Sequence, residues 1–465
     1  MLNKTNILAK IKAVYFAGIG GIGMSALARY FNSIGIETFG YDKTETERTN
    51  NLISEGIKIH FEDDIKLISE KIKTLPKEEV LIIYTPAIPS SHKELQWFIN
   101  EQYTVYKRAE VLGIITNAYK TVAVAGTHAK TSVSTIIAHI FKSANVNFNA
   151  FLGGISKNYN SNLILSENYK DAKYAVTEAD EFDRSFLHLF PFSSIITSID
   201  EDHLDIYEDL NDLKKTFGKF AGQINKDGFL VIKKGVELDK SNFPKNVFTY
   251  SFNEKADFYA SNIKNEASKS VFDIITPNGL IENVIINIPG SLNVENVVAA
   301  TAIALLHGLK KDAIKQALKT WQGVKRRFEY VINTKKIIYI DDYAHHPEEL
   351  KSFITSIKNI YKNKHITGIF QPHLFTRTQD FAADFAKSLD LLDTLYLLDI
   401  YPARELPIKG VTSNLILEKV KIKEKYLLSK EEILKKIKKD KIEILLTIGA
   451  GNIDSLVEPI KKLLI

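Results

Sequence analysis

Thr121-Val-Ala-Val-Ala-Gly126-Thr-His-Ala-Lys130-Thr-Ser-Val-Ser-Thr-Ile-Ile-Ala-His-Ile140 reads as a buried strand, a tight turn and a helix. The run Val122 to Ala125 is short and apolar and stops at Gly126, whereas Ile136, Ile137, Ile140 and Phe141 recur at helical spacing. Backbone N–H groups at the start of a helix carry partial positive charge and have no intrahelical partner. Residues Gly126, Thr127, His128, Ala129, Lys130, Thr131 and Ser132 therefore form a candidate triphosphate site. Lys130 adds a full charge, and the Thr131 hydroxyl can ligate Mg²⁺. The general phosphate loop carries glycine before its lysine; Ala129 must bring the backbone to the phosphates without glycine's freedom. A structural turn with an exposed lysine is the plainer alternative.

Working outward, 465 residues exceed one ordinary core, and about 100 to 200 residues per domain predicts two to four domains. With 45% hydrophobic and 25% charged residues, there is ample material for globular cores. The net charge of +5 is small and spread along the chain, so it argues for neither nucleic acid nor an anionic membrane. Even the lysine-rich run Ser429 to Asp440 places Ile433, Leu434 and Ile437 on one helical face, which makes its charges a solvated opposite face. The absence of cysteine excludes disulfides, thiolate nucleophiles and cysteine metal sites, and suits a cytoplasmic location. No signal-peptide pattern is expected from the N-terminal residues, and the apolar stretch Val297 to Leu306 is well short of the ~20 residues that cross a bilayer.

Upstream of the phosphate loop, residues 1–118 form a predicted first domain. Ala13 to Ala17 reads as a strand, followed by Gly18-Ile-Gly20-Gly21-Ile-Gly23 and an apolar helix from Met24 to Phe31. Glycines at this spacing allow the tight turn, the close approach of a pyrophosphate, and helix-on-strand packing. Nineteen positions past Gly23, after a second strand Glu37 to Tyr41, Asp42 stands where a dinucleotide fold binds a ribose. Any nucleotide diphosphate fits this description, and so does a glycine turn with no ligand. A further strand, Val80 to Tyr84, is stopped by Thr85-Pro-Ala87-Ile-Pro89; Tyr103 to Tyr106 is the last strand before a boundary near Asn117.

Residues 119–325 form the predicted middle domain. The strand Tyr174 to Thr177 runs into Glu178-Ala-Asp180-Glu181-Phe-Asp183, and Ser194 to Ile199 runs into Asp200-Glu-Asp202-His203. Ligands of open parallel sheets bind beyond the carboxyl ends of the strands, so both clusters face the phosphate loop. One carboxylate with a nearby side chain suffices for Mg²⁺, which keeps several waters. His203 is a softer ligand than Mg²⁺ usually takes, and a lone histidine is more often a satisfied polar residue. Short strands alternate with turns from 228 to 288, and Asn293 and Asn296 then open a buried helix, as adenine-edge partners or as caps. Residues 326–465 form the last domain, entered through Arg326-Arg327-Phe328. Its strands Ile337 to Ile340, Ile366 to Phe370, Thr394 to Leu398 and Ile444 to Ile448 each end in polar or glycine-containing sequence on one edge. The predicted class is α/β with three domains: Rossmann-like, P-loop ATPase-type, and Rossmann-like again.

Several ordered stretches resemble the Mur ligases of peptidoglycan synthesis: Gly18 to Ser25, Thr85-Pro-Ala-Ile-Pro89, Arg108-Ala-Glu110, Gly126 to Thr131, Glu178-Ala-Asp-Glu181, Asp202-His203, Arg326 to Phe328, Asp341-Asp-Tyr-Ala-His-His-Pro347, Gln371-Pro-His373 and Asp399-Ile-Tyr-Pro402. Met24-Ser25 directly after the glycines looks like the family member that adds the first amino acid. The chain departs from the family pattern at Ala129 (usually glycine), Leu292 (often histidine) and Leu374-Phe375 (usually Arg-Tyr). The resemblance implies ATP-dependent ligation of UDP-N-acetylmuramate to L-alanine with release of ADP and phosphate. It further implies that the first domain holds the UDP-sugar through Gly18, Gly20, Gly21, Gly23, Met24, Ser25, Asp42, Thr85 and Ala87. The middle domain would hold ATP and Mg²⁺, with Lys130, Glu178 and His203 catalytic, and Thr131, Glu178 and His203 on the metal. Asn296 would meet adenine, Arg327 a phosphate and Asp342 the ribose, while Tyr343, His345, His373 and Arg377 receive the amino acid as the last domain closes. A monomer or dimer is expected, with no nucleic-acid or membrane partner.

Three rivals remain at this point. A nicotinamide oxidoreductase would explain the glycine fingerprint and Asp42 but has no need of a second nucleotide loop. A nucleotide-driven switch would use Lys130 and Thr131 for conformational change alone. A recycling ligase would attach a preformed peptide to the same sugar nucleotide.

Overall fold

The computed structural model describes residues 8–200, 206–266, 268–403 and 405–465. The first sheet contains β1 (Ala13–Ala17), β2 (Glu37–Tyr41), β3 (Lys58–His60), β4 (Val80–Tyr84) and β5 (Thr104–Lys107) in the order β3-β2-β1-β4-β5. All its pairings are parallel, and β1 is buried throughout, as expected for a strand covered on both faces. The order reverses at β1, which puts the glycine turn and helix α1 (Ile22–Ser33) at the switch point.

Ten strands make the second sheet: β6 (Lys120–Ala125), β7 (Phe148–Ser156), β8 (Ser161–Ile164), β9 (Tyr174–Ala179), β10 (Ser193–Ile196), β11 (Phe229–Lys233), β12 (Asn246–Ser251), β13 (Phe258–Asn265), β14 (Ser270–Thr276) and β15 (Gly279–Ile286). Parallel β6 lies between β9 and β10. The strand predicted over Ser194 to Ile199 stops at Ile196, because the Thr197 hydroxyl turns to the carbonyls of Ala125 and His128 at 3.2 and 2.5 Å. The apolar helix expected over Val297 to Leu306 begins six residues earlier, at Ser291. Among the described residues no helix is long and apolar enough to cross a membrane.

The third sheet has the order β16-β17-β21-β18-β19-β20, with β16 (Glu329–Asn333), β17 (Ile338–Asp342), β18 (Ile366–Phe370), β19 (Thr394–Leu397), β20 (Glu424–Leu427) and β21 (Ile444–Ile448). Only β16 is antiparallel to its neighbour in this sheet. The four strands expected to end in polar sequence are therefore adjacent and point the same way. By compactness the chain divides in two. One unit comprises Met1–Ser261, Phe272–Val284 and Glu295–Trp321, and the other Asn262–Val271, Ile285–Val294 and Gln322–Ile465. Within the first unit one apolar cluster runs from Phe16 and Leu27 to Ala123, Phe151 and Phe217, and another gathers Tyr15, Phe39, Ile82 and Phe98.

Candidate active site

The phosphate-loop turn is forced by its neighbours. Gly126 has φ +133°, and a methyl group there would sit 2.0 Å from the Thr197 hydroxyl. Ser198 fastens the loop: its carbonyl accepts the Thr127 N–H at 3.1 Å, and its Oγ accepts the His128 N–H at 3.1 Å. The His128 Nε2 lies 3.3 Å from Asp200. Ala129 then takes a left-handed conformation (φ +67°, ψ −1°), directly before the helix Lys130–Ser143. Ser132 is half-buried on the first turn of that helix.

Three of the predicted residues meet here. The Thr131 hydroxyl donates to Glu178 Oε2 at 3.2 Å, and Lys130 Nζ is bonded to Glu181 at 2.7 and 2.9 Å and to the Gly126 carbonyl at 2.7 Å. Glu178 is next to last in β9, beside β6, and its Oε1 accepts the Gly153 N–H at 2.7 Å and faces the Ser134 hydroxyl at 3.3 Å. Burial pushes the Glu178 carboxyl above its usual range, against the opposing pull of Lys130, the Gly153 N–H and Thr131. A hard divalent cation would reverse that burial penalty, and a hydroxyl beside a half-buried carboxylate is an oxygen donor set suited to Mg²⁺. His203 and Asp202 lie outside the described residues. Gly153, Ser134 and Ser198 carry no motif in the sequence, whereas Glu181 belongs to the acidic cluster expected to face the loop. The Gly153-Gly154 pair within a strand was the available signal.

On the first sheet, Asp42 Oδ2 accepts the Gly20 N–H at 2.8 Å, and Arg48 donates to the Gly20 carbonyl at 2.6 Å. Thr85 packs on Gly18, whose φ is +86°, while Ala87 is exposed. Gly21 caps α1, and Arg108 lies over Gly23. Met24 and Ser25 are 1% and 0% exposed. They support the loop from inside, where the Ser25 hydroxyl accepts from the Asn162 amide at 3.0 Å. Asn162 also accepts from Arg29 at 2.6 Å, and Arg108 lies 3.6 Å from Asp180, so the first two sheets share polar contacts.

In the third-sheet unit, Asp342 is buried at the end of β17 and accepts the backbone N–H groups of Phe328 and Ala344 at 2.7 and 2.8 Å. Burial pushes its carboxyl upward and that of Asp341 to about 7, in the latter case despite Arg326. Both Arg326 and Arg327 place their guanidinium 5.0 Å from the Tyr343 ring. His345 lies 5.4 Å from Tyr343 and 6.1 Å from His373, which stacks on Tyr401. Arg377, in the helix Phe375–Leu389, is 8% exposed. Tyr343, His345 and His373 thus cluster at the strand ends. In the first unit, Asn296 is 9% exposed on the helix Ser291–Leu306.

Three family models match in succession: the Mur ligase family, catalytic domain, over residues 13–120; the Mur ligase middle domain over 124–304; and the Mur ligase, glutamate ligase domain, over 326–451. A UDP-N-acetylmuramate–L-alanine ligase of Parabacteroides distasonis is 50% identical over 456 residues, 98% of each chain. Its counterpart from Porphyromonas gingivalis is 48% identical, covering 98% of this chain and 99% of the relative. The crystal structure of the UDP-N-acetylmuramate-alanine ligase of Thermotoga maritima superposes with a TM-score of 0.82 at 26% identity, covering 97% of this chain and 98% of that one. Matched along nearly its whole length in sequence and in fold, the chain belongs to the Mur ligase family.

Proposed function

We propose that this ligase joins the amino group of L-alanine to the lactyl carboxylate of UDP-N-acetylmuramate, converting ATP to ADP and phosphate in the cytoplasm. The observation that carries the proposal is the Thr131 hydroxyl on Glu178, with the neighbouring Lys130 on Glu181, at the adjacent ends of β6 and β9. Whole-length relatives bearing the name of that activity support alanine over a preformed peptide as the incoming group.

A carboxylate is a poor electrophile, so one of its oxygens first takes the γ-phosphoryl group; the amine then attacks the acyl phosphate and phosphate leaves. Most of the acceleration comes from position and charge neutralisation. The residues of the loop Gly126 to Ser132 hold the phosphates, and the Lys130 ammonium opposes their charge. Thr131, Glu178 and, by its motif, His203 would hold Mg²⁺, which supplies further neutralisation when bound. Gly18, Gly20, Gly21 and Gly23 receive the UDP diphosphate at the start of α1, with Asp42 toward the ribose and Thr85 and Ala87 at the rim; Met24 and Ser25 act by supporting the loop. We assign Asn296 to adenine, Arg327 to phosphate, Asp342 to the nucleotide ribose, and Tyr343, His345, His373 and Arg377 to the amino acid, whose carboxylate suits the two-pronged guanidinium of Arg377.

The test is ADP release by the full chain with ATP, Mg²⁺ and UDP-N-acetylmuramate, supplied in turn with alanine, serine, glycine and a tripeptide, with products weighed by mass spectrometry. Alanine should give the fastest release and an alanyl product. ADP release indifferent to the sugar nucleotide, or a product formed only with tripeptide, would overturn the proposal.

A further inference from the structure

The charge of Lys130 is itself held from behind. Glu181 has no exposed surface, and Lys130 Nζ lies 2.9 Å from its Oε1 and 2.7 Å from its Oε2. The Glu181 backbone is fixed in turn, because its carbonyl accepts the Tyr207 hydroxyl at 2.6 Å and the Arg184 N–H at 3.0 Å. An ammonium has three N–H donors. They are engaged by the two carboxylate oxygens, by the Gly126 carbonyl at 2.7 Å and, at 3.5 Å, by the Thr127 carbonyl, so the ammonium is fixed over the turn. If Lys130 swung away toward a phosphate, it would give up two short contacts to a fully buried carboxylate, which is unfavourable. If it stays, its charge keeps a fixed place at the turn.

We infer that Glu181 is a positioning residue for the ligation: it holds the Lys130 ammonium over the Gly126–Thr127 turn, where its charge opposes that of the terminal phosphates, and it acts through Lys130 without touching the nucleotide. This inference rests on the ATP-dependent ligation proposed above. Charge supports it as well. Burial alone would pull the Lys130 ammonium down, but the negative charges of Glu181, Asp180 and Glu178 outweigh it and keep the group above its usual range. Asp180 and Glu178 are each on the same strand end, whereas Glu181 alone makes both short contacts.

The experiment compares wild type, Glu181→Gln and Glu181→Asp as full chains, after circular dichroism has checked that each is folded. Steady-state ADP release gives kcat and the KM values for ATP and the sugar nucleotide. A misplacement of about 1 Å in a positioning group is enough for a loss on the order of 100-fold. Glu181→Gln should therefore lose about 10- to 100-fold in kcat with both KM values within about 3-fold of wild type, and Glu181→Asp, which keeps the charge on a shorter stem, should fall between the two. Wild-type kcat in Glu181→Gln, tighter ATP binding with kcat retained, or a parallel rise in the sugar-nucleotide KM would overturn the inference. If Glu181→Gln does not fold, Glu181→Asp decides, and an unchanged kcat there refutes the assignment. Failure of the wild-type chain to release ADP at all would instead count against the ligase reading itself.

Discussion

Ala129 and Gly153 show how single residues set this site. Ala129 is held at φ +67° where an alanine Cβ is strained by about 1–2 kcal/mol, and it stands where the family usually has glycine. Ala129→Gly relieves that strain but adds about 0.4–1 kcal/mol of unfolded-chain freedom. The expected net is a stability gain of up to about 1 kcal/mol by urea unfolding, with ADP release retained; clear destabilisation would show that the left-handed turn carries no burden. Gly153 makes the complementary case. A methyl group there would lie 2.3 Å from Glu178 Oε2 and 2.5 Å from Oε1, atoms at the free end of a side chain that can move aside. Gly153→Ala should therefore unfold within a few degrees of wild type, yet lose about 100-fold in kcat, because the displaced carboxylate no longer faces Thr131. A stable variant with normal turnover would remove Glu178 from the site. Leu374, another departure from the family pattern, also has positive φ (+73°). Both family departures that lie at turns thus mark places where the chain adopts glycine-like geometry without glycine.

At the level of elements, buried parallel strands were the legible part. The strands read at Ala13–Ala17, Glu37–Tyr41, Val80–Tyr84, Ile366–Phe370 and Ile444–Ile448 have the bounds expected of them, since short runs rich in apolar and β-branched or aromatic residues, closed by turn-forming or polar residues, leave little choice. Of the edge strands, β5 was legible at Tyr103 to Tyr106, but others were not. Short β3, antiparallel β8 and β16, and mixed-polarity β20 carry no run of their own and depend on a neighbour for their ladder. The site divides in the same way: Lys130, Thr131 and Glu178 stand in motifs, whereas the groups that orient them, a backbone N–H at Gly153 and the hydroxyls of Ser134 and Ser198, carry no motif and come together only through β6–β9 and β6–β10 pairing. The Ser429 to Asp440 run is the amphipathic surface helix expected, with Ile433 and Ile437 buried. Packing of the helix after Ser291 yields a pH prediction. His307, just past its end, lies among Phe141, Tyr174, Phe192 and Phe229 and is bonded to the Ser193 hydroxyl at 2.7 Å. Burial, reinforced by Lys120 and Lys173, lowers its pKa from 6.5 to about 4. The unfolded chain therefore binds a proton that the folded chain refuses between those values, so stability falls as pH drops from about 6.5 to about 4, by up to about 3 kcal/mol. His307→Asn lacks this titration, and its stability relative to wild type should improve between pH 7 and pH 4.5 in paired urea curves; parallel curves at both pH values would refute the assignment.

For the whole molecule, the question is how far a change at the phosphate loop travels to the glycine turn of the first sheet. The two lie on separate sheets of one compact unit. They are connected electrostatically through Arg108, which rests on Gly23 and lies 3.6 Å from Asp180, and Asp180 in turn acts on Lys130. That route is thin: the Asp180 side chain is 42% exposed, and half-exposed ion pairs contribute about 0–1 kcal/mol. The direct fastenings of the glycine turn, from Asp42 and Arg48 to Gly20 and from Asn162 to Ser25, involve no residue of the phosphate loop. Lys130→Ala should therefore abolish ADP release while leaving the affinity for UDP-N-acetylmuramate, measured calorimetrically, within about 5-fold of wild type, the factor that corresponds to about 1 kcal/mol. The same substitution takes the Lys130 ammonium away from the buried Glu181 carboxylate, so some loss of global stability is expected alongside. Calorimetry below the unfolding temperature separates that loss from binding. If sugar-nucleotide affinity fell as steeply as turnover, the two ligands could not be occupying the separate strand ends to which they are assigned, and the division of labour between the first two sheets would have to be redrawn.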